Sequence, residues 1–311
     1  MSSSSTQPEL RFIEVTGAKG VNGGQRRMAY WDWAPAVTAD PRHLVICVHG
    51  LSRQGRDFDV LATALTEHAR VLAVDVAGRG HSDWLADSMA YQVGTYAADI
   101  AQLLARVRAL DPDVQIDWVG TSMGGLIGLA LAAQSTQGIR KLVLNDVGPV
   151  IQWDALQRIG TYLGLNPSFA CEMDAVDYLR SISQGFGPHT DAQWLALSRP
   201  MLRQRDGRWW LHYDPALAVP FRALTASADE MTVRKTVSEG EAALWSMYDA
   251  IKSPTLLLRG ADSDLLTRAT AHAMSERGPQ ARCVEFPGVG HAPTLVAPDQ
   301  LAAVVDFLAR N

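Results

Sequence analysis

The 311-residue chain predicts an α/β fold, with a mostly parallel sheet flanked by helices and interrupted by one helical insertion. Three observations carry that expectation. Near-continuous apolar runs recur along the chain, as strands buried on both faces require. Helical patterns separate those runs. The alternation then stops for roughly a hundred residues between Pro149 and Ser253, where no buried strand is evident.

Met1 to Pro8 is polar and lacks the basic and apolar regions of a secretory signal, so residues 1–9 read as a disordered tail. Residues 10–16 and 26–34 alternate as two early strands, joined by a glycine-rich turn at Gly20 to Gly24. Six apolar runs follow: His43 to Val48, Val71 to Val76, Val114 to Val119, Lys141 to Leu144, Thr255 to Leu258 and Cys283 to Phe286. Phe58 to His68, Val93 to Leu110 and Leu126 to Gln134 have helical patterns between them. The expected organisation is a core of residues 10–148 and 254–311, with a helical cap of residues 149–253 inserted after the sixth strand.

The bulk composition excludes several classes. The chain is 47% hydrophobic and 20% charged, with a net charge of −5, which gives no electrostatic basis for binding nucleic acid or an anionic membrane. No apolar stretch approaches the roughly 20 residues that span a bilayer. Cys47, Cys171 and Cys283 are widely spaced and lack metal-ligand spacing, so reduced thiols in a cytoplasm are expected, with no metal and no disulfide frame. Oligomeric state, monomer or homodimer, is left open.

The most informative local feature is Gly120-Thr121-Ser122-Met123-Gly124. It follows the apolar run ending at Val119 and precedes the small-residue helix starting at Gly125. A serine on so sharp a strand-to-helix turn is forced into a strained backbone, and the flanking glycines remove side chains that would clash. The turn lifts the hydroxyl above the sheet edge, near the positive end of the next helix.

A serine hydroxyl needs a base, and the base needs an orienting group. His291, in Pro287-Gly288-Val289-Gly290-His291, follows the last strand and is the expected base. The acid is expected at Asp264, in Arg259-Gly260-Ala261-Asp262-Ser263-Asp264, because the residues after Gly260 give it reach. Asp262 and Asp146 are the alternatives, the first read as a turn former and the second as a capping or turn-binding aspartate after the sixth strand. The oxyanion of acyl transfer would be held by the backbone N–H groups of Met123 and Leu51, with Gly50 allowing close approach. His49 reads as a residue that shapes this loop. Arg53 points into the pocket to bind a substrate carbonyl or carboxylate, or pairs with Asp57 or Asp59 at the surface.

Asp75-Val76-Ala77-Gly78-Arg79-Gly80-His81-Ser82 has neither the G-x-G-x-x-G spacing nor the lysine of a phosphate loop and reads as a tight structural turn. The insertion carries Trp153, Trp194, Trp209, Trp210 and Trp245. They suggest an apolar roof, with Trp210 the candidate pocket residue.

In this order the pieces resemble the α/β-hydrolase superfamily over nearly all of residues 25–310, and within it the capped bacterial esterases that include polyester-active carboxylesterases and meta-cleavage C–C hydrolases. The resemblance implies an eight-stranded, largely parallel sheet, a Ser-His-Asp triad and no cofactor. Serine at position 122 sets the chain apart from the dehalogenase and epoxide hydrolase branches, which place aspartate there. The expected activity is hydrolysis of carboxylic esters with small to medium apolar acyl groups. C–C hydrolase, lactonase and thioesterase chemistry use the same triad, and a non-catalytic receptor uses the same fold.

Overall fold

The computed structural model describes residues 7–17, 24–225 and 230–309. Residues 1–6 of the expected tail and residues 20–23 of the expected turn lie outside the described residues. The first strands are β1 (Glu9–Thr16), β2 (Gln25–Trp33), β3 (His43–Val48) and β4 (Arg70–Val74), so the chain is already a strand at Glu9. They are followed by β5 (Gln115–Thr121), β6 (Ile139–Asn145), β7 (Ser168–Phe169), β8 (Leu202–Arg205) and β9 (Arg208–Leu211). β10 (Thr255–Gly260) and β11 (Arg282–Phe286) complete the set. The first five helices are α1 (Asp59–Leu65), α2 (Val93–Leu110), α3 (Met123–Ala132), α4 (Trp153–Tyr162) and α5 (Glu172–Ile182). Then come α6 (Asp191–Ser198), α7 (Ala218–Thr225), α8 (Glu230–Ala250), α9 (Arg268–Glu276) and α10 (Pro298–Ala309).

Eight strands form one sheet in the order β1-β2-β4-β3-β5-β6-β10-β11. β1 and β2 run antiparallel to their neighbours, and every pair from β4 to β11 is parallel. The apolar runs are continuous because both faces of the central strands are covered. Along β3, Leu44, Ile46 and Val48 face the core built with α2, α3 and α8, while Val45 and Cys47 face the core built with α1 and α10. Each such side chain contributes on the order of 1.5–3 kcal/mol of burial. β1 is an edge strand, and its exposed Glu9, Arg11 and Glu14 discourage pairing with another chain.

Residues 149–253 are not wholly helical. Besides α4 to α8 they contain a small antiparallel sheet in the order β7-β9-β8. β8 and β9 form a hairpin closed by Asp206-Gly207, with Arg205 paired to Arg208 and φ of 52° and 69° at the two turn residues. Two left-handed residues are what a right-twisted two-residue hairpin needs, and Asp-Gly supplies them. These strands are short and half exposed, so they carry none of the buried-run signal of the main sheet.

The Asp75 to Ser82 turn anchors this segment. Asp75 accepts the N–H groups of Gly55 at 2.8 Å and His81 at 2.9 Å. Gly80 N donates to His212 O at 3.1 Å and Asp214 N to Gly78 O at 2.8 Å, with an Arg79–Tyr213 bridge between them. Gly78 and Gly80, at φ of +83° and +51°, give the turn its left-handed bends. Among the described residues no helix is long and apolar enough to cross a membrane.

Candidate active site

Ser122 stands between β5 and α3 with φ 51° and ψ −116°, a conformation that a residue with a side chain rarely adopts. Ser122 N donates to Asn145 O at 2.9 Å, which ties the turn to the neighbouring strand. A side chain at Gly124 would run into the Val48 carbonyl and one at Gly120 into the Gly124 carbonyl. The bend is therefore available only with glycine at both positions.

His291 Nε2 lies 3.0 Å from Ser122 Oγ, and His291 Nδ1 lies 2.6 Å from Asp146 Oδ2. The Asp146 side chain is fully buried and that of His291 is 11% exposed. Asp146 also accepts Gly260 N–H at 2.9 Å on Oδ1 and Ser263 Oγ–H at 2.6 Å on Oδ2. The sheet explains the placement. β5 and β6 pair in parallel with Thr121 opposite Asn145, so the next residues, Ser122 and Asp146, leave the same edge side by side.

The expectation for Asp264 is thereby corrected. Its carboxylate makes a bidentate pair with Arg158 at 2.6 and 2.9 Å and is 41% exposed. Burial raises its pKa, but the Arg158 guanidinium outweighs burial and holds the carboxyl below its ordinary value. Asp262 is exposed, and its loop closes on Gly260 O through Ser263 N at 3.0 Å. The loop after β10 does reach the site, but through Ser263, which delivers a hydrogen bond to Asp146. Asn145 is a further residue missed from sequence: its Nδ2 donates to Thr121 Oγ1 at 3.0 Å and Pro293 O at 2.8 Å, joining the strand that leads to Ser122 to the His291 loop.

Met123 follows Ser122 in the chain, and Leu51 follows Gly50, where an added Cβ would lie 3.7 Å from Ser122 Cβ. Among the described residues neither backbone N–H has an acceptor within the chain. His49 is fully buried, with Nδ1 donating to Gly50 O at 2.7 Å and Nε2 accepting Val76 N–H at 3.0 Å. Burial, with the Arg79 charge nearby, pushes its pKa down to about 3, so the ring is neutral and holds the loop.

The cavity over Ser122 measures about 100 Å³. Leu179, Ile182, Phe186, Leu197 and Leu211 supply apolar lining, and Tyr162, Arg53 and Arg158 supply polar lining. Arg53 lines the cavity and pairs with Asp57 there, its side chain largely buried and not at the surface. Its Nε and Nη2 grip Asp57 at 2.7 and 2.6 Å, Nη2 also reaches Leu197 O at 2.8 Å, and Nη1 makes no hydrogen bond among the described residues. Trp210 does not line the cavity, which corrects its reading as a pocket residue. Leu211 does, and successive strand residues face opposite ways; Trp210 therefore lies on the other side, with Arg205 stacked over its ring at 4.9 Å.

The chain matches the model of the alpha/beta hydrolase family over residues 45–304. It is 46% identical over 307 residues to a 3-hydroxybutyrate-oligomer hydrolase of Cupriavidus necator, covering 97% of this chain and 98% of that protein. It is 29% identical over 282 residues to an esterase of Mycobacterium tuberculosis, covering 85% and 80% of the two chains. The crystal structure of an alpha/beta hydrolase from Novosphingobium aromaticivorans superposes with a TM-score of 0.81 at 33% identity, covering 98% of this chain and 99% of that one. Family model, near-full-length relative and shared architecture agree: this chain belongs to the alpha/beta hydrolase family.

Proposed function

We propose that the chain is a serine hydrolase of carboxylic esters whose acyl part is a short hydroxyacyl unit. The observation that carries the reading is the chain of contacts Ser122 Oγ, His291 Nε2, His291 Nδ1 and Asp146 Oδ2 at 3.0 and 2.6 Å. Ser122 Oγ adds to the ester carbonyl and its proton passes to His291 Nε2. The carbonyl pair moves onto oxygen, where the N–H groups of Leu51 and Met123 receive it. On collapse the alcohol leaves with the proton from His291. Water then repeats the sequence, releasing the acid and restoring Ser122. Asp146 holds His291 in the tautomer that leaves Nε2 free to accept, and stabilises the imidazolium once formed.

The substrate proposal draws support from the 3-hydroxybutyrate-oligomer hydrolase, which is 46% identical over nearly its whole length. A cavity of about 100 Å³ suits a short chain. Arg53 Nη1, with no partner among the described residues, suits an oxygen on that chain, either a hydroxyl or a carboxylate. With Cys47, Cys171 and Cys283 unpaired, a reducing cytoplasm is the proposed compartment.

The test has two arms. A fluorophosphonate probe followed by peptide mapping should label Ser122 alone, and labelling elsewhere or none would overturn the nucleophile assignment. A panel of 3-hydroxybutyrate dimer and trimer, p-nitrophenyl butyrate, a thioester, a lactone and a vinylogous diketone should show the highest kcat/KM on the hydroxyacyl esters. A preference for the diketone, lactone or thioester would replace the ester reading.

A further inference from the structure

Arg79 is fully buried, and among the described residues its guanidinium has no carboxylate within ion-pair distance. A buried charge without a counter-charge is costly to keep and calls for a reason. The surroundings supply neutral acceptors instead. Nε donates to Leu51 O at 2.8 Å, Nη1 to Ala77 O at 2.6 Å, and Nη2 lies 3.3 Å from Met123 Sδ. The rings of Tyr96 and Tyr91 lie with centroids 4.7 and 5.9 Å from the guanidinium carbon. Two of these contacts fall on Leu51 and Met123, whose backbone N–H groups have no acceptor among the described residues and which adjoin Gly50 and Ser122.

From this juxtaposition we infer that Arg79 is the positioning residue of the oxyanion hole: one guanidinium fixes both of its donors and holds a positive charge behind them. The bond to Leu51 O sets the backbone of a loop that Gly50 would otherwise leave adaptable. The contact with Met123 Sδ holds the side chain of the other donor residue. A fixed charge in a dry interior also favours a negative oxygen in front of it, because little solvent intervenes to screen it. The guanidinium is planar and multiply directed, which a lysine ammonium cannot reproduce. The turn that carries Arg79 is pinned to the segment over the cavity by Gly80 N to His212 O and Asp214 N to Gly78 O, at 3.1 and 2.8 Å. Tyr213, between those two residues, lines the cavity. The roof and the oxyanion hole therefore share one support.

The inference rests on the serine-hydrolase reading, and the experiment separates the two. Two inhibitors of equal shape are compared: an alkyl trifluoromethyl ketone, which forms an oxyanion when Ser122 adds to it, and the matching trifluoromethyl alcohol, which cannot. Arg79→Gln and Arg79→Lys should lower kcat by roughly 10- to 100-fold, since loss of a whole oxyanion donor costs about 10²- to 10³-fold. KM and alcohol affinity should stay within about threefold, while ketone affinity falls in parallel with kcat and Lys does not fully restore it. Met123→Leu preserves volume and removes only the sulfur that meets Nη2. It should lower ketone affinity about three- to tenfold, and it decides the matter if the Arg79 variants fail to fold. A ketone-to-alcohol ratio unchanged in a folded Arg79 variant, or in Met123→Leu when the Arg79 variants do not fold, would overturn the inference. Failure of wild type to bind the ketone more tightly than the alcohol would overturn the serine-hydrolase reading and this inference with it.

Discussion

Asp146 Oδ2 receives two hydrogen bonds, from His291 Nδ1 at 2.6 Å and from Ser263 Oγ at 2.6 Å. Ser263 belongs to the loop after β10, so two successive strand ends of the sheet converge on one carboxylate. Ser263 Oγ in turn accepts Leu266 N–H at 3.1 Å, which fixes the hydroxyl. Asp146 itself has φ 56°, a bend that turns its side chain towards the histidine.

Ser263→Ala removes one charge-assisted hydrogen bond to that carboxylate, an interaction worth about 1.5–3 kcal/mol. The expected result is a drop in kcat of about tenfold with little change in KM, measured on p-nitrophenyl butyrate. Full activity in Ser263→Ala would mean that Asp146 is held well enough by Gly260 N–H and His291 alone.

The proposed ester substrate should be limited in acyl length by the cavity lining. Leu179→Ala or Leu211→Ala enlarges the cavity and should move the kcat/KM optimum to longer acyl chains, each added methylene then gaining about 0.8 kcal/mol of burial. Trp210→Ala should leave the profile unchanged, because Trp210 lies off the cavity beneath Arg205. A shifted optimum in Trp210→Ala would show that it shapes the pocket indirectly.

Stability should fall between pH 7 and pH 5. Burial pushes His49 down to about 3 and His212 down to about 4, so the unfolded chain binds protons there that the folded chain does not. Asp75 acts oppositely: burial raises it to about 6, and the folded state takes up its proton first as the pH falls. Two histidines against one carboxyl leave a net loss on the order of 2–3 kcal/mol by pH 5, read as a lower urea midpoint. A midpoint that rises from pH 7 to pH 5 would contradict the balance.

The main sheet was legible in sequence because each central strand is covered on both faces, which concentrates Leu44 to Val48 or Leu256 to Leu258 into continuous apolar runs. Ser122 and His291 were legible because each follows such a strand within a glycine-bearing segment. Asp146 was legible only as an alternative acid, because its place beside Ser122 depends on the register of β5 against β6, a pairing between distant segments. Asp264 had the plausible loop, but Arg158, on the inserted helix α4, holds its carboxylate. The β8–β9 hairpin carried a readable signal in Asp206-Gly207, but its strands are short and partly exposed, without the buried-run signal of the main sheet. Trp210 could not be assigned a side without the phase of its strand.

We infer that Asp146, and not Asp264, is the acid that serves His291. The direct measurement is kcat/KM for Asp146→Asn and Asp264→Asn on the same ester, with folding checked by circular dichroism. Asp146→Asn should lose on the order of 10⁴-fold, by analogy with the aspartate-to-asparagine change in serine proteases. Asp264→Asn should lose less than about tenfold, since it only breaks a half-exposed pair with Arg158. A large loss in Asp264→Asn with Asp146→Asn near wild type would make Asp264 the acid that serves His291 and overturn the assignment of Asp146.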